Sequence, residues 1–310
     1  MKTEPKVLII ILNWNQYEST RETLLSLQKI DYHHAEIVLI DNGSTDDSLA
    51  RIKADFPELQ TIANGENLGV AGGRNAGIAF AEKRDYEYLL FLDNDVLVAP
   101  DFLTQLLATV VLDSSIGGVQ PLILHLGEPE RVFSAGGQYF PLLCHHRSRR
   151  GMKAEDLPDN DRPREIDWMS GGGQLIRSEV FSRVKGFDED YDPYGCEDAQ
   201  MGLDMKRAGY RVYLAPRSRI WHPRKTGRDW MTFKTRNMAR SLVLFLRKNI
   251  TRVNFPFALG WHLVNYVLRY VLKYLLTGQL AQLRALFEGI TSGWTRPLSK
   301  GMVTLSPEGR

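Results

Sequence analysis

The chain has 310 residues, 43% hydrophobic and 25% charged, which excludes disorder and collagen-like repetition and suits one large globular domain or a domain with an extension. The net charge of +2 conceals a split: residues 1–223 hold 24 Lys and Arg against 34 Asp and Glu, whereas residues 224–300 hold 14 against 2. An acidic body repels polyanions, so only the basic, aromatic tail is suited to a lipid surface or a nucleic acid.

In chain order, VLIIIL (7–12), a helical pattern over about 18–29, EIVLI (36–40), a helical pattern over about 46–54 and a weaker strand near 59–63 predict a βαβα rhythm. A further helix is expected over about 71–83, then YEYLLFL (86–92), whose run Leu89 to Leu92 reads as a strand buried on both faces. The expected architecture is α/β, a mostly parallel sheet flanked by helices. The charged stretch 145–165, with Pro158 and Pro163, reads as a mobile loop. Later helices are expected over about 178–184 and directly after Gly195-Cys196-Glu197-Asp198, the second ending near Gly209. The N-terminus carries no cleavage signature, and Cys144 and Cys196 suggest no disulfide framework, so the expected compartment is the reducing cytoplasm.

Ligands gather at the carboxyl ends of strands in such sheets, and those ends carry Asn13, Trp14 and Asn15, then DNGSTDDS (41–48), then DND (93–95). Asp93 and Asp95 fit either a turn with its cap or a divalent cation shared by two carboxylates on one side of an extended chain. Asp41, at a strand end, can accept a hydrogen bond from a nucleobase imide. NLGVAGGRNAG (67–77) fits neither a Walker loop nor a dinucleotide fingerprint; its glycines serve either phosphate approach at a helix N-terminus or tight packing. SGGG (170–173) precedes the densest polar region. Glu197 and Asp198 at a helix start can complement its dipole, or one can ion-pair while the other faces the cleft as a general base. His222 can be structural or can complete a metal site with the two aspartates. His145 and His146 beside Cys144 lack a second ligand pair at zinc spacing.

Together these residues, from Val7 to His222, resemble glycosyltransferase family 2, inverting nucleotide-sugar transferases with a Rossmann-like GT-A fold. The order of Asn13 and Asn15, DNGSTD, NLGVAGGRNAG, DND, SGGG, GCED and WH carries the resemblance, and NLGVAGGRN resembles the bacterial rhamnosyltransferase-like branch. The resemblance implies that Asp41 binds a pyrimidine base and that Asn13 and Asn15 line the nucleoside pocket. It implies that Arg74 and Asn75 lie near the donor, that Asp95 and His222, helped by Asp93, hold Mn²⁺ or Mg²⁺, and that Asp198 is the base with Glu197 beside it. The expected donor is a UDP- or dTDP-sugar, dTDP-rhamnose among them, and the expected acceptor a saccharide or lipid-linked saccharide of the cell envelope. The Gln-x-x-Arg-Trp motif of processive members is absent, Arg228-Asp229-Trp230 being the nearest fragment, which favours single addition. The competing readings are a catalytically silent sugar-nucleotide or membrane-binding module and a nucleotidyltransferase, whose glycine-rich loop belongs after the first strand, where NWNQYE stands instead.

The transferase domain is expected over 1–223 and a helical extension over 224–310. Within the extension, His262, Asn265, Arg269 and Lys273 are spaced 3, 4 and 4 apart, one polar stripe opposite Trp261, Leu268, Val271, Leu272 and Leu275. That pattern fits a helix lying on an anionic membrane at its inner face, or a core or homodimer contact. No nucleic-acid-binding module accompanies the charge.

Overall fold

In the computed structural model, which describes residues 4–299, β1 (Val7–Asn13) is the buried centre from which the sheet grows. The chain continues through α1 (Tyr17–Leu27), β2 (Ala35–Asp41), α2 (Ser48–Asp55), β3 (Gln60–Ala63), α3 (Gly69–Ala81) and β4 (Tyr88–Asp93). These elements match the expected rhythm, and β3, β2, β1 and β4 lie side by side in parallel. Because parallel strands are covered on both faces, β1 and β4 are apolar without alternation and fill two cores, one through Leu8, Ile10 and Phe91, the other through Ile9, Ile11 and Leu90.

Beyond β4 the sheet is mixed rather than mostly parallel. After β5 (Leu97–Val98), α4 (Phe102–Val110), β6 (Ile116–His125), β7 (Glu128–Ser134), β8 (Gly137–Phe140), β9 (His145–Ser148) and β10 (Arg164–Ile166) comes β11 (Gly173–Arg177), antiparallel to both β4 and β6. α5 (Glu197–Arg207) then leads into β12 (Arg211–His222), parallel to β6 and antiparallel to β5 and β10. The expected mobile loop 145–165 is corrected at both ends: β9 pairs with β8, and β10 pairs with β12. The β8–β9 hairpin is local, but its polar second strand HHRS shows no apolar alternation, and the β12 partner of β10 is distant in sequence, so no periodicity announces either. The expected helix at 178–184 is only a 3₁₀ turn, Ser178–Ser182, because five residues including Ser and Val cannot sustain an α-helix.

The extension comprises α6 (Arg228–Asn249), α7 (Phe255–His262), α8 (Arg269–Leu276) and α9 (Leu280–Thr295). Gly289 and Gly293 let α9 lie directly on α6, where a Cβ would stand 2.1 Å and 2.7 Å from the carbonyls of Arg236 and Arg240. Leu244 and Phe245 of α6 share a core with Trp168, Tyr191 and Cys196 of the body. Part of the tail's charge is spent internally: Lys248 pairs with Asp188 and Asp190, and Arg240 donates to the Tyr191 carbonyl at 2.6 Å.

A π-helical turn, Leu263–Leu268, joins α7 to α8. Its wider turn keeps residues four apart in register, so Tyr266, Tyr270 and Tyr274 form an inward ladder with ring centroids 5.0 and 5.7 Å apart. The expected polar stripe is altered accordingly. His262 turns inward to the Cys144 carbonyl at 3.2 Å, while Asn265, Arg269 and Lys273 stay exposed. No described helix is long and apolar enough to cross a membrane. Residues 1–3 and 300–310, the end of the expected extension, lie outside the described residues.

Candidate active site

The carboxyl ends of β1, β2 and β4 meet through a buried chain of polar side chains. Asn94 Nδ2 donates to Thr20 Oγ1 at 2.7 Å, Thr20 Oγ1 to Asn13 Oδ1 at 2.9 Å, and Asn13 Nδ2 to Asp41 Oδ1 at 3.1 Å. Asn13 and Thr20 are fully buried, so these bonds are shielded from water and hold Asp41 against the turn after β2. Ser44 completes the grip, its backbone N–H and hydroxyl reaching the two oxygens of Asp41 at 3.1 and 2.6 Å. Asn15, at positive φ, accepts from the Thr45 N–H at 2.8 Å and thereby fixes the same turn. Trp14, between the two asparagines, is 49% exposed and leaves an aromatic face at this strand end. Trp14 and Asn94 stand in the strand-end clusters of the sequence without an assigned role, whereas Thr20, inside α1, carries no sequence signal that points to it.

Asp93 ends β4, and Asp95 lies in the following turn rather than in an extended chain. Their approach comes from β5: Leu97 pairs with Trp221 in β12, which brings His222 beside the turn. His222 Nε2 stands 3.4 Å from Asp93 Oδ2 and 3.4 Å from Asp95 Oδ1, with all three potential ligand atoms within 4.8 Å of one another. The ring is stacked on Phe133 at 4.4 Å, and its Nδ1 lies 2.6 Å from the Pro223 carbonyl, so Nε2 is aimed at the carboxylates. Burial opposes ionisation of Asp93, yet its hydrogen bond with His222 and the Arg74 charge hold its carboxyl below the usual range. Burial likewise opposes a proton on His222, but Asp93 and Asp95 overcome it and raise the imidazole above its ordinary value. Among the described residues, Asp95 Oδ2 is buried with no hydrogen bond. The Lys225 ammonium faces that oxygen at 2.9 Å, and a set of two hard oxygen donors and one imidazole fits Mn²⁺ better than Mg²⁺.

The second acidic pair has another environment. Gly195 and Cys196 both take positive φ, turning the chain sharply into α5. Glu197 is drawn back, its Oε2 accepting from the Gly195 N–H at 3.0 Å and its Oε1 lying 4.0 Å from Arg74 Nη1. Asp198 points elsewhere, accepting from the N–H groups of Ala199 at 2.7 Å and Gly171 at 3.3 Å. Burial, with the adjacent Glu197 charge, pushes Asp198 up to about 7. A carboxyl tuned to neutrality is suited to general base work.

The SGGG segment forms the floor between these two ends. A Cβ on Gly171 would stand 2.8 Å from Arg74 Nη2, and one on Gly172 would stand 3.4 Å from His222 and 3.8 Å from Asp93. Arg74, buried on α3, spans the floor, donating to the Gly171 carbonyl at 2.8 Å and reaching Asp93 at 3.4 Å. Asn75 is turned away from the floor. Its amide binds the Phe187 backbone and Glu189, fixing the 187–189 loop to α3. The glycines of 67–77 take the packing role of the two expected: Gly73 and Gly77 abut Leu12 and Ile10, while Asp192 occupies the Ala71 and Gly72 N–H groups at 2.8 and 3.1 Å. His145 and His146 face inward, both lowered by burial, to about 4 and about 3, with His146 beside Cys196 at 3.3 Å.

Comparisons with known proteins bear on the family and the fold. Among curated relatives, an N-acetylglucosaminyl-diphospho-decaprenol L-rhamnosyltransferase of Mycobacterium tuberculosis is 27% identical over 233 residues, covering 66% of this chain and 73% of the relative. Rhamnosyltransferase WbbL of Escherichia coli is 27% identical over 218 residues, covering 68% of this chain and 80% of the relative. Among solved structures, GalNAc-T7 with UDP, GalNAc and Mn²⁺ superposes with a TM-score of 0.63 at 19% identity, covering 80% of this chain and 48% of that one. Staphylococcus aureus TarS 1–349 gives a TM-score of 0.56 at 17% identity, covering 93% and 80%. These two likenesses are of fold, and the fold is GT-A. The model of glycosyl transferase family 2 matches residues 8–184, more than half of the chain, so this protein belongs to that family and is a glycosyltransferase of GT-A type.

Proposed function

We propose that the protein is a metal-dependent inverting transferase that moves a sugar from a UDP- or dTDP-sugar to a hydroxyl of a saccharide or lipid-linked saccharide acceptor. The observation that carries this reading is the pairing, across one glycine floor, of a carboxylate–imidazole cluster with an aspartate raised to about 7. Asp41, held by Asn13 and by the turn that Asn15 fixes, receives the imide of the base. Asp93, Asp95 and His222 hold Mn²⁺ or Mg²⁺. The cation supplies positive charge where the leaving diphosphate develops its negative charge. Arg74 lies beside the donor, and Asn75 acts through the loop it fixes. Asp198 takes the proton from the acceptor hydroxyl as that oxygen attacks, and Glu197 stays paired beside it. A single displacement inverts the anomeric centre. The names of both relatives support a rhamnosyl donor, and that of the mycobacterial one supports an N-acetylglucosaminyl-diphospho-decaprenol type of acceptor.

The extension supplies the membrane contact in this reading. Phe257, Trp261, Val264, Leu268, Leu272 and Leu275 are all exposed at helical spacing along α7, the π-helical turn and α8, with Arg252, Arg269 and Lys273 also exposed beside them. Phe140 and Leu142, 40% and 52% exposed at the tip of the β8–β9 hairpin, widen that face, since α7 packs on the tip with Trp261 against His145 at 5.7 Å. Anionic lipid attracts such basic residues by about 1 kcal/mol each, and the apolar side chains enter the headgroup boundary. We place the protein at the inner face of the cell membrane on this basis, the same face serving a homodimer if lipid does not bind. Nucleotide release from a panel of UDP- and dTDP-sugars, with and without Mn²⁺ and with soluble and lipid-linked acceptors, tests the reading. Release that needs Mn²⁺ and acceptor, with product of inverted anomeric configuration, supports it; Mn²⁺-independent release, or none across the panel, contradicts it.

A further inference from the structure

The segment between His222 and α6 carries Pro223, Arg224 and Lys225 without regular structure, and Gly227, at φ +111°, turns it into the helix. Its Lys225 reaches back to the proposed metal cluster, with Nζ 2.9 Å from Asp95 Oδ2. That oxygen is the buried one that forms no hydrogen bond among the described residues, so the ammonium meets it as a charge and not as an aligned donor. The two partners are unequally anchored: the Asp95 side chain is 4% exposed, that of Lys225 41%. Asp95 is also held by its turn and by His222, whereas the lysine ammonium sits on a flexible four-carbon stem and already stands over the Trp230 ring, 5.8 Å from its centroid, a contact it can keep when the carboxylate is taken.

We infer that Lys225 is a built-in counter-cation of the cluster, neutralising Asp95 in the cation-free protein and giving way when a divalent ion is bound. This inference rests on the proposed metal role of Asp93, Asp95 and His222. The charge argument is direct. A buried carboxylate without a compensating cation is costly, and Lys225 meets that need. A divalent ion taken up among the three ligand atoms would stand within a few ångströms of the ammonium, and two like charges that close in a partly desolvated cleft repel. Divalent-ion binding therefore includes breaking the Lys225–Asp95 pair, which weakens the site for free cation and ties cation loading to movement of the 223–227 strap. Lys225 is in this sense a positioning residue, acting through Asp95.

Electron paramagnetic resonance of free Mn²⁺, titrated with nucleotide-free protein, measures the affinity without any turnover. Lys225→Gln should bind Mn²⁺ about tenfold or more tightly than the wild type, while Lys225→Arg, which keeps the charge, should stay within about twofold of it. In parallel, saturating Mg²⁺ should increase tryptic cleavage after Arg224 and Lys225 in the wild type, because the strap is released. In Lys225→Gln, cleavage after Arg224 should already be fast and should not respond to Mg²⁺. Equal Mn²⁺ affinity in wild type and Lys225→Gln would overturn the inference while leaving the metal site standing. Failure of both proteins to bind Mn²⁺ would overturn the metal reading and this inference with it.

Discussion

Two acidic pairs lie on either side of the buried Arg74, which reaches Asp93 and Glu197, and their surroundings give the same residue types opposite properties. On one side, Asp93 and Asp95 face His222, Arg74 and Lys225, and Asp93 is kept ionised despite its burial. On the other, burial and the Glu197 charge next door push the Asp198 carboxyl up to about 7, more than two backbone N–H groups and the Arg74 charge can offset, while the Arg74 contact itself falls to Glu197. Positive neighbours keep the first pair ionised, the form in which a carboxylate can accept a metal, while burial beside a like charge favours the protonated form of Asp198. Environment, not residue type, divides the labour.

Replacing one member of each pair should break the comparison most visibly. Asp95→Ala is expected to lower turnover by ~10³–10⁴-fold and to remove the Mn²⁺ dependence of nucleotide binding, since a cation supplies several kcal/mol of charge stabilisation. Steady-state rates with Mn²⁺ and with chelator check this, and normal turnover in chelator would dismiss the cluster as a metal site. Asp198→Asn should cost about 10³-fold in turnover, within the range a positioned base contributes, with nucleotide affinity retained. An equal collapse of affinity would make Asp198 structural.

The pH dependence sharpens the same contrast, with smaller effects. Asp198 must be ionised to accept a proton, and its raised value means that kcat should fall about tenfold per pH unit once the pH drops below about 7. In the proposed site His222 would bind metal as the neutral imidazole, and its raised value prolongs the competing protonated form. Mn²⁺ affinity should therefore decline as pH falls toward 6, in a binding titration without donor. A flat kcat profile between pH 6 and 8 would remove Asp198 as the base. The smallest effect is expected for Thr20→Val, which deprives Asn13 and Asn94 of their shared hydroxyl. It should cost roughly 1–3 kcal/mol of stability, read by denaturant unfolding, and weaken UDP or dTDP binding without moving the pH profile.

The local half of this design was legible in the sequence. Apolar runs and strand-end carboxylates announced β1, β2 and β4, because parallel strands buried on both faces need no partner to be recognised. The trio of Asp93, Asp95 and His222 was legible as residue types, but its geometry depends on β5 pairing with β12 across more than a hundred residues. The inward turn of His262 was hidden for the same reason, being fixed by a contact with the distant Cys144 carbonyl, whereas the local β8–β9 hairpin was hidden because its polar strand His145–Ser148 carries no apolar alternation. The two glycine-rich stretches looked equally able to admit a ligand. Only packing separates them, with Gly73 and Gly77 pressed on Leu12 and Ile10, and Gly171 and Gly172 left facing Arg74, His222 and Asp93.

The division between the two pairs is tested most directly by calorimetric titration of UDP and dTDP into wild type, Asp95→Ala and Asp198→Asn, each with and without Mn²⁺. The account predicts Mn²⁺-strengthened nucleotide binding in wild type and Asp198→Asn, and binding indifferent to Mn²⁺ in Asp95→Ala. Mn²⁺ dependence that survives in Asp95→Ala and disappears in Asp198→Asn would contradict it.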